Sequence, residues 1–288
     1  MVKKKVALLL SGFVRGTDNL DQVNKFIENN SDNYDFYKFI SVYDVMGTKT
    51  KAYQGDQDKT ELVSLSTFTN FKYEKILISD YADIVKYIEN MIDKNLEKLN
   101  NVLPFDISDK KVHLHNMLCR WHMANIGFGL VIDSEINFDY VIQTRFDLKS
   151  NSLDKIIDIQ ENMVSVHFRY DNSMQKLNNT IFKLNYQGLV SDAFYYFNYK
   201  NIEKVNEITN INFLIKCLKS KKMKEHLSKV DKTYNGALIV DNEFIFQMIF
   251  ILNNFNFRHI KSVPIVNRTE KYIKDKEKVI NYIEKLNQ

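Results

Sequence analysis

The sequence predicts an α/β protein, with a mainly parallel central sheet flanked by helices and a helical C-terminal region. Short apolar, β-rich runs alternate with helix-period stretches through most of the chain. Twenty Phe and sixteen Tyr against two Pro and eight Gly favour long regular elements with few sharp turns. A length of 288 residues with 44% hydrophobic content suffices for a substantial core. Nothing repeats at a fixed period, so 1–288 reads as one domain, with an α/β core over about 1–208 and a mostly helical part over about 209–288.

Lys5 to Ser11 is an apolar run suited to a buried first strand. The loop Gly12-Phe13-Val14-Arg15-Gly16-Thr17 then leads into a helix that starts near Asp18, a residue of N-cap type. Asp35 to Tyr43 is a second strand closed by Asp44, and the polar stretch from Gly47 to Asp58 reads as a mobile loop. Glu74 to Ser79 is a third strand and Tyr81 to Leu99 a long helix. Pro104 punctuates the connection to another helix from about Lys111, whose buried face is Leu114, Leu118, Trp121, Asn125 and Phe128.

The segment Phe138-Asp139-Tyr140-Val141-Ile142-Gln143-Thr144-Arg145-Phe146-Asp147-Leu148 is a buried strand that delivers charge to its own tip. Met163 to Arg169, Thr180 to Leu184 and Ala193 to Phe197 follow as strands. The last third carries helical periods around Asn201 to Ile208, Asn212 to Ser228, Asn242 to Asn253 and Glu270 to Leu286, with short strands at Phe257 to Ile260 and Val263 to Val266.

Composition narrows the function. A net charge of +4, with lysines interspersed among acids, does not indicate a nucleic-acid binder. No run of 18 apolar residues exists, and Val6 to Leu10 is too short for a signal segment, so the chain reads as soluble and without a transmembrane segment. Cys119 and Cys217 stand far apart without a CxxC, which suits two buried thiols in the reducing cytoplasm. Lys216, Lys219, Lys221, Lys222 and Lys224 form a local basic run: a solvated helix face, or a surface for peripheral contact with an anionic membrane.

Several chemistries lack their signatures. The first loop is neither GxGxxG nor GxxxxGK[ST], although its backbone amides can bind phosphate where a strand feeds a helix, and Arg15 can pair with a diphosphate. His113, His115, His122 and His167 do not have the spacing of a zinc site. No G-x-S-x-G elbow or local cysteine-nucleophile signature is present. Arg145 and Asp147, two apart on an extended chain, project to one side and form either a strand-end ion pair or an anion or metal site beyond the strand's carboxyl end. Asp192 and Glu243 lie beside apolar elements, where each is a helix cap, an ion-pair partner or a general base at a cleft rim.

Three patches together, KVALLLSGFVRG, FDYVIQTRFDL with the preceding helix HNMLCRWHMANIGFGL, and SDAFYYFNYKNIEKV, resemble one family. This is the GT-A-like glycosyltransferase group of bacterial surface-polysaccharide loci and large viruses, with its N-terminal LSGxxR and central YDxVIRxRxDL motifs. The resemblance spans roughly residues 5–208. It implies a GT-A-like, Rossmann-like fold and transfer of a sugar from a UDP- or GDP-sugar to a glycan or lipid-linked acceptor in surface polysaccharide synthesis. The basic run would then suit an enzyme working at the membrane surface. Ser11, Gly12 and Arg15 would lie near the nucleotide, and Arg145 and Asp147 would occupy the place of the DxD element.

Because Arg145 replaces the first aspartate, a guanidinium would neutralise the leaving diphosphate, with Asp147 either holding Mn²⁺ or Mg²⁺ or orienting the arginine. In an inverting reaction Asp192 is the first choice for acceptor base and Glu243 the second. Two rivals remain: a PAPS-dependent sulfotransferase, opposed by the negative charge of Asp18 beside the loop, and a catalytically silent α/β binding protein.

Overall fold

The computed structural model describes residues 2–14, 18–46, 62–102, 111–146, 156, 158–168, 181–182, 190–208, 211–221, 246, 250 and 252–259. The strands are β1 (Lys4–Gly12), β2 (Tyr34–Tyr43), β3 (Lys75–Ser79), β4 (Tyr140–Thr144), β5 (Met163–Phe168), β6 (Ile181–Phe182), β7 (Val190–Asn198) and β8 (Asn256–His259). The helices are α1 (Asp18–Asn30), α2 (Tyr81–Asn100), α3 (Lys111–Ile132), α4 (Ile202–Ile208) and α5 (Ile211–Lys219). The strands form one sheet in the order β3-β2-β1-β4-β7-β5-β8-β6. Within it β3, β2, β1 and β4 are mutually parallel, and β7 lies antiparallel between β4 and β5. The expected α/β fold with a mainly parallel central sheet and flanking helices is thus present, its antiparallel pairings confined to the β7 and β6 contacts.

β1 is the keel of this sheet. Val6 to Leu10 are fully buried, and the strand pairs with β2 on one edge and β4 on the other. A parallel strand covered on both faces has no solvent side, which is why its sequence shows no polar alternation. Its side chains still alternate between two cores. Ala7 and Leu9 join Phe39, Val141, Tyr195 and Phe197 under α2, α3, α4 and α5. Val6, Leu8 and Leu10 join Ile40, Val42, Ile142 and Tyr196 with Val23 and Phe26 of α1.

α3 crosses close above the first of these cores. A Cβ built on Gly127 would lie 2.4 Å from Leu9 Cδ1, so any other residue here would force the buried Leu9 side chain to shift. Leu114, Leu118, Trp121 and Phe128 are buried as expected, whereas Asn125 is half-buried and the neighbouring Met123 and Ala124 fill the interior instead. Asp80 caps α2 by accepting from the Asp83 N–H at 2.9 Å.

The foot of the sheet is tied by carboxylates. The Asp139 amide donates to the Lys5 carbonyl, and its Oδ2 accepts from the Lys5 amide, both at 2.8 Å, so a side chain extends the β1–β4 ladder. Asp158 accepts from Lys4 Nζ at 2.6 Å and from the Tyr140 hydroxyl at 3.0 Å, joining the first residues of β1 and β4. Buried Asn30 closes α1 onto the same end, donating to the Phe26 carbonyl and accepting from the Ile156 amide at 2.7 Å.

The sequence missed two features here. β7 runs from Val190 and so contains Asp192, which excludes the helix-cap reading of that residue. The β5–β7 register also jumps between Val166 and His167, from Tyr195 to Ser191. The expected mobile loop from Gly47 to Asp58, the strand Val263 to Val266 and the helix Glu270 to Leu286 lie outside the described residues.

The Lys4 hydrogen bond, followed by that of Tyr140 and opposed by burial, holds the Asp158 carboxyl below its ordinary value of 3.8. A carboxyl lowered by folding stabilises the native state above its unfolded value, and that stabilisation is lost as pH falls through the folded value. Asp158→Asn should therefore destabilise the protein at neutral pH, with the gap from wild type closing as the pH is taken below 3.8 in urea denaturation series. A gap independent of pH would show that the carboxylate charge contributes nothing.

Candidate functional site

Ligands of open α/β sheets bind beyond the carboxyl ends of the strands, where neighbouring connections diverge. In this sheet the corresponding place lies between β1 and β4. β1 continues into α1 beside β2, while β4 is followed on its other side by the antiparallel β7. The register pairs Leu10 with Thr144, so Ser11 and Gly12 stand at a strand tip beside Arg145. Two segments more than 130 residues apart in sequence, the SGF turn and the TRF tip, are thereby brought together.

Gly12 shapes the first tip. Its φ of +99° lies in the region that L side chains rarely adopt, and a Cβ there would meet nothing within 4 Å among the described residues. The glycine is therefore demanded by the turn and not by crowding. It leaves backbone open to a close-approaching ligand.

Beside it stand three aromatic rings that sequence reasoning did not single out. Phe13 lies 4.5 Å from Tyr43 and 5.2 Å from Tyr81 by ring centroids, and Tyr43 lies 5.2 Å from Tyr81. The Tyr43 hydroxyl donates to the Cys119 carbonyl at 2.9 Å, anchoring the trio to α3, and burial pushes its pKa well above the usual value. Asp44 follows, its Oδ1 accepting from the Tyr81 amide at 2.9 Å at the N-terminus of α2. An aromatic-then-acid ending on an apolar strand is the signal that would have marked Tyr43 and Asp44, as the same ending marked Arg145.

The second tip carries Gln143 and Thr144, both buried, then half-buried Arg145 and buried Phe146. Gln143 Nε2 donates to Ser11 Oγ at 2.8 Å and to the Thr144 carbonyl at 3.3 Å. Gln143 Oε1 and Thr144 Oγ1 are buried without a partner among the described residues. Such orphaned groups are uncommon in native interiors and call for an explanation.

Of the residues expected from sequence, Ser11, Gly12 and Arg145 share this edge. Thr144 pairs with Phe194, so the backbone of Asp192, two residues earlier on the antiparallel β7, begins at the same end of the sheet. The jump in the β5–β7 register falls in this stretch, and bulges of this kind concentrate beside functional sites. Arg15, Asp147 and Glu243 lie outside the described residues.

No protein-family model matches the sequence, and no curated protein matches it. Among solved structures, the crystal structure of mouse xyloside xylosyltransferase 1 in its apo form is similar over 90% of this chain and 85% of that one, at 10% identity and a TM-score of 0.36. A likeness at that level identifies neither the fold family nor the activity of this chain.

Other chemistries find little here. Burial, then Glu89, pushes the Cys119 thiol up to about 12, and burial does the same for Cys217, so both are protonated at neutral pH and are poor nucleophiles. His115 contacts Cys119 Sγ at 3.5 Å, and His122 lies 5.0 Å from the Tyr87 ring by centroids, its pKa lowered by burial. Among the described residues no group of three His, Cys, Asp or Glu is arranged around a metal position. The described carboxylate of this edge, Asp44, is engaged with α2, so these residues do not by themselves fit a divalent cation.

Gly12→Ala should cost about 1–2 kcal/mol of stability, the strain of a Cβ at positive φ, with an unchanged dependence of unfolding on urea. Equal stability of the two proteins in urea titration would show that the turn relaxes to accept a side chain.

Proposed function

We propose that the chain is a GT-A-like glycosyltransferase, moving a sugar from a nucleotide-sugar donor to a glycan or lipid-linked acceptor. The observation that carries this reading is the parallel β1–β4 pairing, which sets the open Gly12 backbone beside Arg145 at the carboxyl edge of the sheet. A nucleoside diphosphate needs a face for its base and a counter-charge for its diphosphate. The half-buried Phe13 and Tyr81 rings, backed by Tyr43, suit the first, and the Arg145 guanidinium suits the second.

The chemistry asked of these residues is limited. The acceptor oxygen bonds to the anomeric carbon while the bond from that carbon to the diphosphate oxygen breaks. The electron pair leaves with the diphosphate and the acceptor proton passes to a base. Arg145 stabilises the charge that develops on the leaving group, with Asp147 orienting the guanidinium or joining a cation there. Asp192 is the proposed base for an inverting reaction, with Glu243 the second choice, because β7 starts at the edge from which Arg145 emerges. A divalent Mn²⁺ or Mg²⁺, when bound, would supply further leaving-group stabilisation.

For the acceptor, the lipid-linked option draws on the basic face of α5. That helix buries Ile211, Leu214, Ile215 and Leu218 in the core, so its exposed Lys216 and Lys219 offer charge but no apolar face to a membrane. No helix among the described residues is long and apolar enough to cross one.

Thermal stabilisation by UDP- or GDP-sugars, measured with Mn²⁺ and with EDTA, tests donor class and metal requirement together. The expected result is stabilisation by one nucleotide-sugar family. Stabilisation by adenosine 3′,5′-bisphosphate instead would point to sulfate transfer, and stabilisation by neither to a silent binding protein. Arg145→Lys, which keeps the charge and loses the planar fork, should lower kcat on the order of a hundredfold. An unchanged rate would make Arg145 a structural residue.

A further inference from the structure

We propose that Ser11 and Gln143 form a subsite for a hydroxyl group of the bound nucleotide sugar, and not for its diphosphate. The inference rests on the transferase reading above. It is carried by the hydrogen-bond inventory at the tips of β1 and β4.

The Gln143 amide nitrogen has two hydrogens, and both are committed, one to Ser11 Oγ at 2.8 Å and one to the Thr144 carbonyl at 3.3 Å. This fixes the orientation of the amide, because a flipped group would set its carbonyl oxygen against that of Thr144. Gln143 Oε1 is then left as a buried acceptor without a donor among the described residues. Ser11 Oγ receives the Gln143 hydrogen, and its own proton has no acceptor among the described residues. The linked pair therefore has one acceptor and one donor without a partner among the described residues, at the strand tip that ends in Gly12.

A phosphate oxygen can only accept. It would satisfy Ser11 but face the lone pairs of Gln143 Oε1. A hydroxyl both donates and accepts, and so can complete both members of the pair. Nucleotide sugars carry such groups on the ribose and on the transferred sugar, and either source presents the same chemistry. Gln143 is then a binding and positioning residue. By donating to Ser11 Oγ it leaves that hydroxyl's own proton to donate, and it contributes its own oxygen.

The test is calorimetric binding of UDP and GDP to the full chain, beside their 2′-deoxy and 3′-deoxy forms. The favoured diphosphate is then compared with its hexose conjugate and with deoxy-hexose conjugates. Removing the recognised hydroxyl leaves buried groups unpaired, so one deoxy ligand should bind about tenfold to a hundredfold more weakly. A ribose analogue and a sugar analogue identify different sources. Ser11→Ala and Gln143→Met should bring the hydroxylated ligand down to the affinity of its deoxy form and so abolish that discrimination, and the wild-type comparison stands even where a variant fails to fold.

If nucleoside diphosphates bind and every deoxy form binds equally well, the subsite is wrong and the transferase reading stands. If variants keep the discrimination, the hydroxyl is read by other residues and the proposal falls. If neither nucleotides nor their conjugates bind, the transferase reading falls, and this proposal with it.

Discussion

The parallel pairing of β1 with β4 is the constraint on which the rest of this structure depends. It closes the second edge of the most buried strand, and both strands send alternate side chains into the two cores on opposite faces of the sheet. Its foot is held by the reciprocal bonds of Lys5 and Asp139 and by the Asp158 cluster. Its tip holds Ser11, Gly12 and Arg145. Carboxylates thus secure one end of the pairing, while at the other two buried oxygens, Gln143 Oε1 and Thr144 Oγ1, have no partner among the described residues.

The first half of the fold was legible because local pattern and tertiary environment agree there. β1, β2 and β3, the start of α1 and the long helices α2 and α3 fall within a residue or two of their expected bounds, since apolar runs and helix periods coincide with what the sheet buries. The second half was read less well. β7 is longer than the five residues expected, because its ladder with β5 resumes beyond the register jump at Ser191 and Val190, carrying Asp192 within the interruption. The antiparallel direction of that strand and the register jump beside it are tertiary facts that leave no periodic trace.

The site divides in the same way. Arg145 was visible because a charge at the end of an apolar run has no core role, and Gly12 because it sits where a strand feeds a helix. Gln143 was not, since an amide inside a strand reads as one more member of a β-rich run. Its meaning comes from two distances and an unsatisfied oxygen. Tyr43 and Tyr81 were read as strand and helix residues, which they are. Their convergence with Phe13 exists only because β1, β2 and α2 meet at one edge.

The order of these strands along the chain has a temporal side. β1 is made before β4, the partner on its second edge, and among the described residues two further strands and three helices come between them. At translation rates of about 5–20 residues per second, on the order of ten seconds separates the two. Until β4 is made, the apolar segment Val6 to Leu10 lacks the partner of its second edge, and an unfilled apolar edge is a template for wrong partners. The segment most deeply enclosed in the finished molecule is therefore the one most in need of protection while the molecule is being made.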